Sequence, residues 1–297
     1  MRAILASIIF VLIWSTGFIV ARAVTPHAPP ELVLAVRLIL TTALLGALAI
    51  YARQPLPRGR RLGLHLAAGI MMHGLYLGLG WWAITRGMPA GIMALLGSLQ
   101  PLIVAVVSVP LLREHLPRRS WVGLFVAIGG VACVLTPAIE RADAGAIAFA
   151  PIVAGLIAVL CMAGGTLIQR GSIATDGILM SGAVQNAGAA MVMVCAVMIG
   201  GEWRWDGSPV LWAGLAWSVL GLSAAGLSLL VWLVRHQGAT RMSMLLLLVP
   251  PLAAIEGWLL FGERLAIIQI AGFALALGGV LLGRSSAKAP DVLAEPA

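Results

Sequence analysis

The sequence predicts an all-α membrane protein of ten transmembrane helices, arranged as two inverted five-helix repeats. Three observations carry that reading. Of 297 residues, 61% are hydrophobic and only 10% are charged, whereas a soluble domain is about half apolar and about a quarter charged. The apolar residues fall into ten runs, each near the length of about 20 residues that spans a bilayer as a helix. Residues 86–131 recur without a gap at 235–280.

The runs are bounded by charged, proline or glycine-rich breaks, at roughly 4–24, 31–51, 62–85, 90–112, 120–137, 146–169, 177–199, 210–234, 239–261 and 266–283. Lipid offers no partners to an open backbone, so each run is read as a helix. The first run follows Met1-Arg2 and is longer than the apolar core of a signal peptide, so it is expected to be retained as a span despite Ala21-Arg22-Ala23, which resembles a cleavage site. The tail, 285–297, is expected to be disordered.

Orientation follows from Lys and Arg in the loops. With the N-terminus inside, thirteen of the 19 basic residues face the cytoplasm, among them Arg53, Arg58, Arg60, Arg61, Arg113, Arg118, Arg119 and Arg170. Five face outside: Arg22, Arg86, Arg141, Arg204 and Arg264. Arg37 lies within a span. This places both termini in the cytoplasm and the protein in the cytoplasmic (inner) membrane. It also explains the net charge of +8 as topology, not as a nucleic-acid footprint, so no nucleic-acid partner is expected. The three cysteines, Cys133, Cys161 and Cys195, lie inside apolar runs and form no disulfide or metal pattern. No metal or cofactor is expected.

The repeated block pairs Arg86 with Arg235, Pro101 with Pro250, Glu114 with Glu263, Gly123 with Gly272, and Gly129-Gly130-Val131 with Gly278-Gly279-Val280. Each half holds five spans, an odd number, so the second half must sit upside down relative to the first. The halves are assigned to 1–141 and 142–284. Inverted repeats are a common architecture of secondary transporters, with the substrate near the midplane between them.

Trp14 in the first span, HAPPELVLAVR (27–37) leading into the second, and PPLAAIEGWLLFGERL (250–265) resemble the drug/metabolite transporter superfamily, most closely its EamA-type ten-helix exporters. The resemblance covers about 4–284. It implies a basket of ten helices around a central cavity, lined by spans three, four, eight and nine with parts of one and six, and alternating access. The halves are unequal there: Trp14 meets Ala163 under the repeat. No Walker A motif is present, so ATP is not the expected direct energy source.

Polar residues at depth are the candidate site, because a charge at mid-membrane costs about 2.5–3.5 kcal/mol on insertion scales unless it is paired or faces water. Arg37 and Glu256 lie about 6 and about 9 Å from the centres of their spans, both towards the outside, counting about 1.5 Å per residue. They are expected to pair, directly or through water, as a gate or coupling site; the blander reading is a static ion pair. His73 sits at the centre of the third span with Tyr76 after it. Ser98, Gln100 and Pro101 mark the centre of the fourth span, and Pro250 and Pro251 the matching place in the ninth. Proline removes a backbone donor and kinks a helix, so these three are read as cavity walls or hinges. Trp14 and Ser15 sit at the centre of the first span. Met162 in the sixth and Ser228 in the eighth are weaker candidates for substrate contact.

Other features have blander readings. Trp81, Trp82, Trp203, Trp205 and Trp212 are expected as interface anchors, His65 and His27 as residues near span ends, and Gln185 and Asn186 as bonds between helices. No HExxH, CxxC or Ser/His/Asp grouping occurs, so no enzyme is expected. The expected function is export of small metabolites, amino acids first, by a monomer whose partners are its small-molecule substrate and the bilayer. The alternatives are a passive facilitator or channel, a lipid scramblase, or a membrane-embedded enzyme.

Overall fold

The computed structural model describes residues 2–112, 117–142, 149–169, 173, 176–200 and 202–283. Glu114, the arginines at 113, 170 and 284, and the tail expected to be disordered lie outside these residues.

Every regular element among the described residues is helical. The first two spans are α1 (Arg2–Val24) and α2 (Pro30–Tyr51). The third is α3 (Arg60–Gly69), a π segment (Ile70–Leu75) and α4 (Tyr76–Thr85). The fourth is α5 (Ala90–Ser98) followed by α6 (Gln100–Leu112). Then come α7 (Arg118–Ala142), α8 (Phe149–Gln169) and α9 (Ile178–Gly200). The eighth span is α10 (Pro209–Ala216), a second π segment (Trp217–Gly226) and α11 (Leu227–Leu246). The last elements are α12 (Val249–Phe261) and α13 (Ile267–Gly283). Eight stretches of 20–26 residues are long and apolar enough to cross a membrane, and α12 and α13 are shorter apolar helices.

Local chemistry sets the ends. Pro30 and Pro209 open their helices, where a missing N–H costs nothing. The Leu211 N–H donates to Ser208 Oγ at 3.3 Å. Gln54 Oε1 accepts from the N–H groups of Leu179 and Met180, both at 3.0 Å, so the segment after α2 caps α9. Gly262 closes α12 at φ +67, a left-handed conformation that suits glycine.

One expected boundary is absent. The turn expected at 235–238 lies inside α11, so the ninth span is divided at Leu247 and Leu248 instead. The sole breaker at the expected turn is Gly238, and one glycine costs a helix only about 1 kcal/mol.

The packing is that of an inverted repeat. Two pairs of elements that correspond under the repeat pack on one another, α2 on α9 and α7 on α13, and α5 of the fourth span packs on α12 of the ninth. The two corresponding pairs run antiparallel. Gly123, near the start of α7, meets Gly283 at the end of α13, and Gly130 meets Gly272 and Ala276 further back. Likewise Gly46 of α2 faces Ala183 of α9, while Gly200 at the other end of α9 faces Glu31. The cross-pairs also match: α4 packs on α8, and α11 on α1. A Cβ on Gly130 would lie 2.3 Å from the Ala276 nitrogen, and one on Gly279 would lie 2.3 Å from the Ala127 nitrogen. Small residues therefore set how closely α7 and α13 approach.

Candidate functional site

Both irregularities of the third and fourth spans recur in the eighth and ninth. Adding the offset of 149 places the first π segment, Ile70–Leu75, inside the second, Trp217–Gly226. It also places Leu99, the break between α5 and α6, on Leu248, the break before α12. The dihedrals agree: φ −75, ψ −17 at Leu99 and φ −78, ψ −16 at Leu248. Each break is followed two residues on by proline, Pro101 or Pro250. A proline removes the N–H that would bond the carbonyl four residues back, freeing Gly97 in one half and Leu246 in the other; Pro251 does the same for Leu247. Such wide turns and breaks recur at functional sites because they leave backbone acceptors unused. Pro101 is exposed and Pro250 buried.

The candidate residues group around these breaks. His73 lies in the first π segment and Tyr76 begins α4. The Tyr76 ring stands edge-on to Phe18 at 6.0 Å. Its hydroxyl sits where a Cβ on Gly97 would be only 2.9 Å away. Gln100 donates to Thr166 Oγ1 of α8 at 2.8 Å, and Thr166 donates to the Met162 carbonyl at 2.9 Å. Ser98 donates to the Leu95 carbonyl of its own helix. Ser228 is exposed and donates to Ala224 of its own stretch. The Trp14 ring lies 5.0 Å from Phe10 and faces Gly226 at the end of the second π segment.

Glu256 and Arg37 form no direct ion pair among the described residues. The Ser15 hydroxyl lies 2.6 Å from Glu256 Oε1 and 3.0 Å from the Leu12 carbonyl. It has one hydrogen, and a carboxylate is the stronger acceptor. Glu256 Oε2 is buried and has no partner. Arg37 is 8% exposed and makes no hydrogen bond or ion pair with a described residue; its guanidinium lies 6.0 Å from the Trp81 ring. The helices explain the separation. α12 packs on α1 and α5, whereas α2 packs on α9 and α4. Trp81 is correspondingly no interface anchor: it is 0% exposed, and its Nε1 is buried without a partner.

His65 was the residue the sequence undervalued. It is 1% exposed. Its Nε2 lies 2.9 Å from Asp176 Oδ2, and Arg61 holds Asp176 Oδ1 at 2.9 Å. Its Nδ1 lies 3.2 Å from Gln185 Nε2, and Gln185 Oε1 accepts from Gln169 at 2.8 Å. Gln185 also interacts with the His73 imidazole. Gln185 thus bonds between helices as expected, while Asn186 donates to the Gly182 carbonyl of its own helix.

At the mouth opposite the N-terminus, a cavity of about 380 Å³ is lined by Thr25, Glu31, Trp82, Arg86, Glu202 and Arg204, among others. Glu31 stands about 9 Å above Arg37 along α2, at about 1.5 Å per residue. His27 Nδ1 meets Asp206 Oδ2 at 2.6 Å there. The Ser208 backbone N–H, with His27, holds the Asp206 carboxyl below its ordinary range. Glu263 accepts from the Ala90 N–H at 3.2 Å and lies 3.9 Å from Arg22. Burial pushes its carboxyl up against the opposing pull of those two groups.

Comparison with known proteins gives the family and the fold. Residues 1–136 and 149–283 each match the EamA-like transporter family. An uncharacterized protein of Pseudomonas aeruginosa is 28% identical, with 95% of this chain and 94% of that protein aligned. The uncharacterized transporter YoaV of Bacillus subtilis is 26% identical, over 95% of this chain and 96% of its own length. A solved crystal structure superposes with a TM-score of 0.64 at 19% identity, covering 95% of this chain and 98% of that one; at that identity the likeness speaks for the fold. Family and relatives indicate a transporter and not an enzyme. The chain is a multi-pass membrane protein that belongs to the EamA-like transporter family.

Proposed function

We propose that the protein is a secondary transporter of the cytoplasmic membrane that exports small zwitterionic metabolites, amino acids first among them, by alternating access. The observation that carries this reading is a set of three unfilled polar groups: the Arg37 guanidinium, the Trp81 indole N–H beside it, and Glu256 Oε2. Leaving such groups without partners costs roughly 1–3 kcal/mol each and more for charges, so a ligand that supplies the partners gains what the empty site lacks. A carboxylate fits the Arg37 and Trp81 donors, and an ammonium fits Glu256. In this reading Trp14, Tyr76 and Met162 receive an apolar side chain, with His73, Gln100, Ser98 and Ser228 as polar contacts. The matched breaks at Pro101 and at Pro250-Pro251 are the hinges of the access change. In this reading the protein works as a monomer with both termini in the cytoplasm and 1–141 and 142–284 as its two moving halves.

A ligand thermal-shift screen on purified protein tests it. A neutral amino acid should raise the melting temperature by mass action. Its carboxyl-amidated form should lose the increment, as should Arg37→Met with the parent compound. If no zwitterion shifts the melting temperature, or if the amide binds as well as the acid, the assignment of Arg37 fails.

A further inference from the structure

Beyond the transport reading, and resting on it only for its use, we infer that His65 and Asp176 form a proton-binding site whose occupancy is passed to His73 by rotation of the Gln185 amide. The geometry fixes the donors. Asp176 is an acceptor held from the other side by Arg61. His65 therefore places its N–H on Nε2, facing Asp176 Oδ2. That leaves Nδ1 as an acceptor, which receives the Gln185 Nε2–H. Gln185 Oε1 is then the group that accepts from Gln169, and the same amide interacts with the His73 imidazole.

A proton that adds to His65 reverses this order. The neutral ring gains one hydrogen at Nδ1 and becomes an imidazolium, balanced by the Asp176 carboxylate; no other covalent bond changes. Nδ1–H now points at the Gln185 Nε2–H₂, donor against donor. The amide relieves the clash by rotating so that Oε1 accepts from Nδ1–H. Its NH₂ group then turns to Gln169, whose own amide must rotate in turn so that its Oε1 accepts, and the Gln185 rotation exchanges the end of the amide that His73 meets. One buried proton at the N-terminal mouth thereby changes the hydrogen-bond polarity at the π segment in mid-span. Gly69 keeps the helices close enough for this: a Cβ there would overlap the Gln185 carbonyl.

The surrounding charges are few. α3 itself carries Arg60 and Arg61, the turn before α9 carries Asp176, and the π segment carries His73, with Arg37 of α2 near it. α8 and α9 present Gln169, Ser181 and Gln185 to the site. The histidine–aspartate pair at the other mouth shares one repeat position with this one and differs in exposure. Asp176 corresponds to His27, which pairs with Asp206, but both of those side chains are open to solvent. Imidazole changes charge within about pH 5–8 in ordinary surroundings, which makes the buried member the one able to couple protonation to helix packing.

Nuclear magnetic resonance of ¹⁵N-histidine-labelled protein in lipid nanodiscs decides the matter without any substrate. The His65 and His73 signals are assigned by their loss in His65→Gln and His73→Gln. His73 is expected to show a step at the midpoint of the His65 titration, and the step should vanish in Gln185→Leu while His65 still titrates. A His65 that does not titrate between about pH 5 and pH 9, a His73 that never follows it, or a step that survives Gln185→Leu overturns the proposal. Gln185→Met serves in the same role if the leucine variant does not fold. In proteoliposomes the pH dependence of solute flux should be lost in His65→Gln. Absence of flux in the wild type would count against the transport reading alone, since the resonance result stands by itself.

Discussion

Glu256 shows how a single residue can separate function from stability. Glu256→Gln keeps an oxygen for the Ser15 hydroxyl and removes the charge. If Glu256 only held helices together, the variant would lose stability. In the zwitterion reading the folded protein should be at least as stable, because a half-buried charge has been relieved of its desolvation. Ligand affinity should fall by about tenfold to a hundredfold, from the loss of a charge-assisted bond of roughly 1.5–3 kcal/mol. Melting temperature and ligand titration on one sample check both halves. Asp206 gives a second prediction with a definite sign. Its folded-state pKa is depressed, so its contribution to stability is present above the ordinary carboxylate value of about 3.9 and is lost as pH falls through the lowered one. His27→Ala should lower the melting temperature modestly at neutral pH and leave it nearly unchanged below the depressed value, so that the acid limb of the melting profile flattens. The sequence made Arg37 and Glu256 visible, because a charge in an apolar run is conspicuous. It did not show their partners, since depth along a span says nothing of which helix faces it. The same gap hid Trp81 and His65: both lie near span ends, yet one is turned into the bundle and the other is covered by the turn at Asp176.

At the scale of the elements, the breaks in the fourth and ninth spans were legible and the π segments were not. Proline announces a lost donor at Pro101 and Pro250 from its chemistry alone. A π turn has no comparable residue signal; only its recurrence at the repeat offset marks it, and that needs coordinates. The expected end of the eighth span failed because glycine and charge are weak stops when helical bonding continues. Two substitutions test the packing. Gly97→Ala places a methyl 2.9 Å from the Tyr76 hydroxyl and should cost about 1–3 kcal/mol by overpacking; adding Tyr76→Phe should restore most of it, as a double-mutant cycle in reversible unfolding would show. Gly130→Val should cost more and find no rescue, because its side chain meets the Ala276 backbone and not a movable side chain.

For the whole molecule, the inverted repeat was readable because Pro, Gly and Glu recur at one spacing, and the antiparallel contacts of α2 with α9 and α7 with α13 give that reading a geometric form. Substrate was less readable, since depth along α1, α2, α4 and α12 does not say which of their side chains meet one ligand. Solute counterflow tests the resulting account most directly. Proteoliposomes are loaded with one unlabelled neutral amino acid and given a trace of the same compound labelled outside. The account predicts transient accumulation of label above that in empty vesicles, abolished by Arg37→Met. Label that never rises above the empty-vesicle level for any zwitterion, or that rises equally in the Arg37 variant, would contradict it.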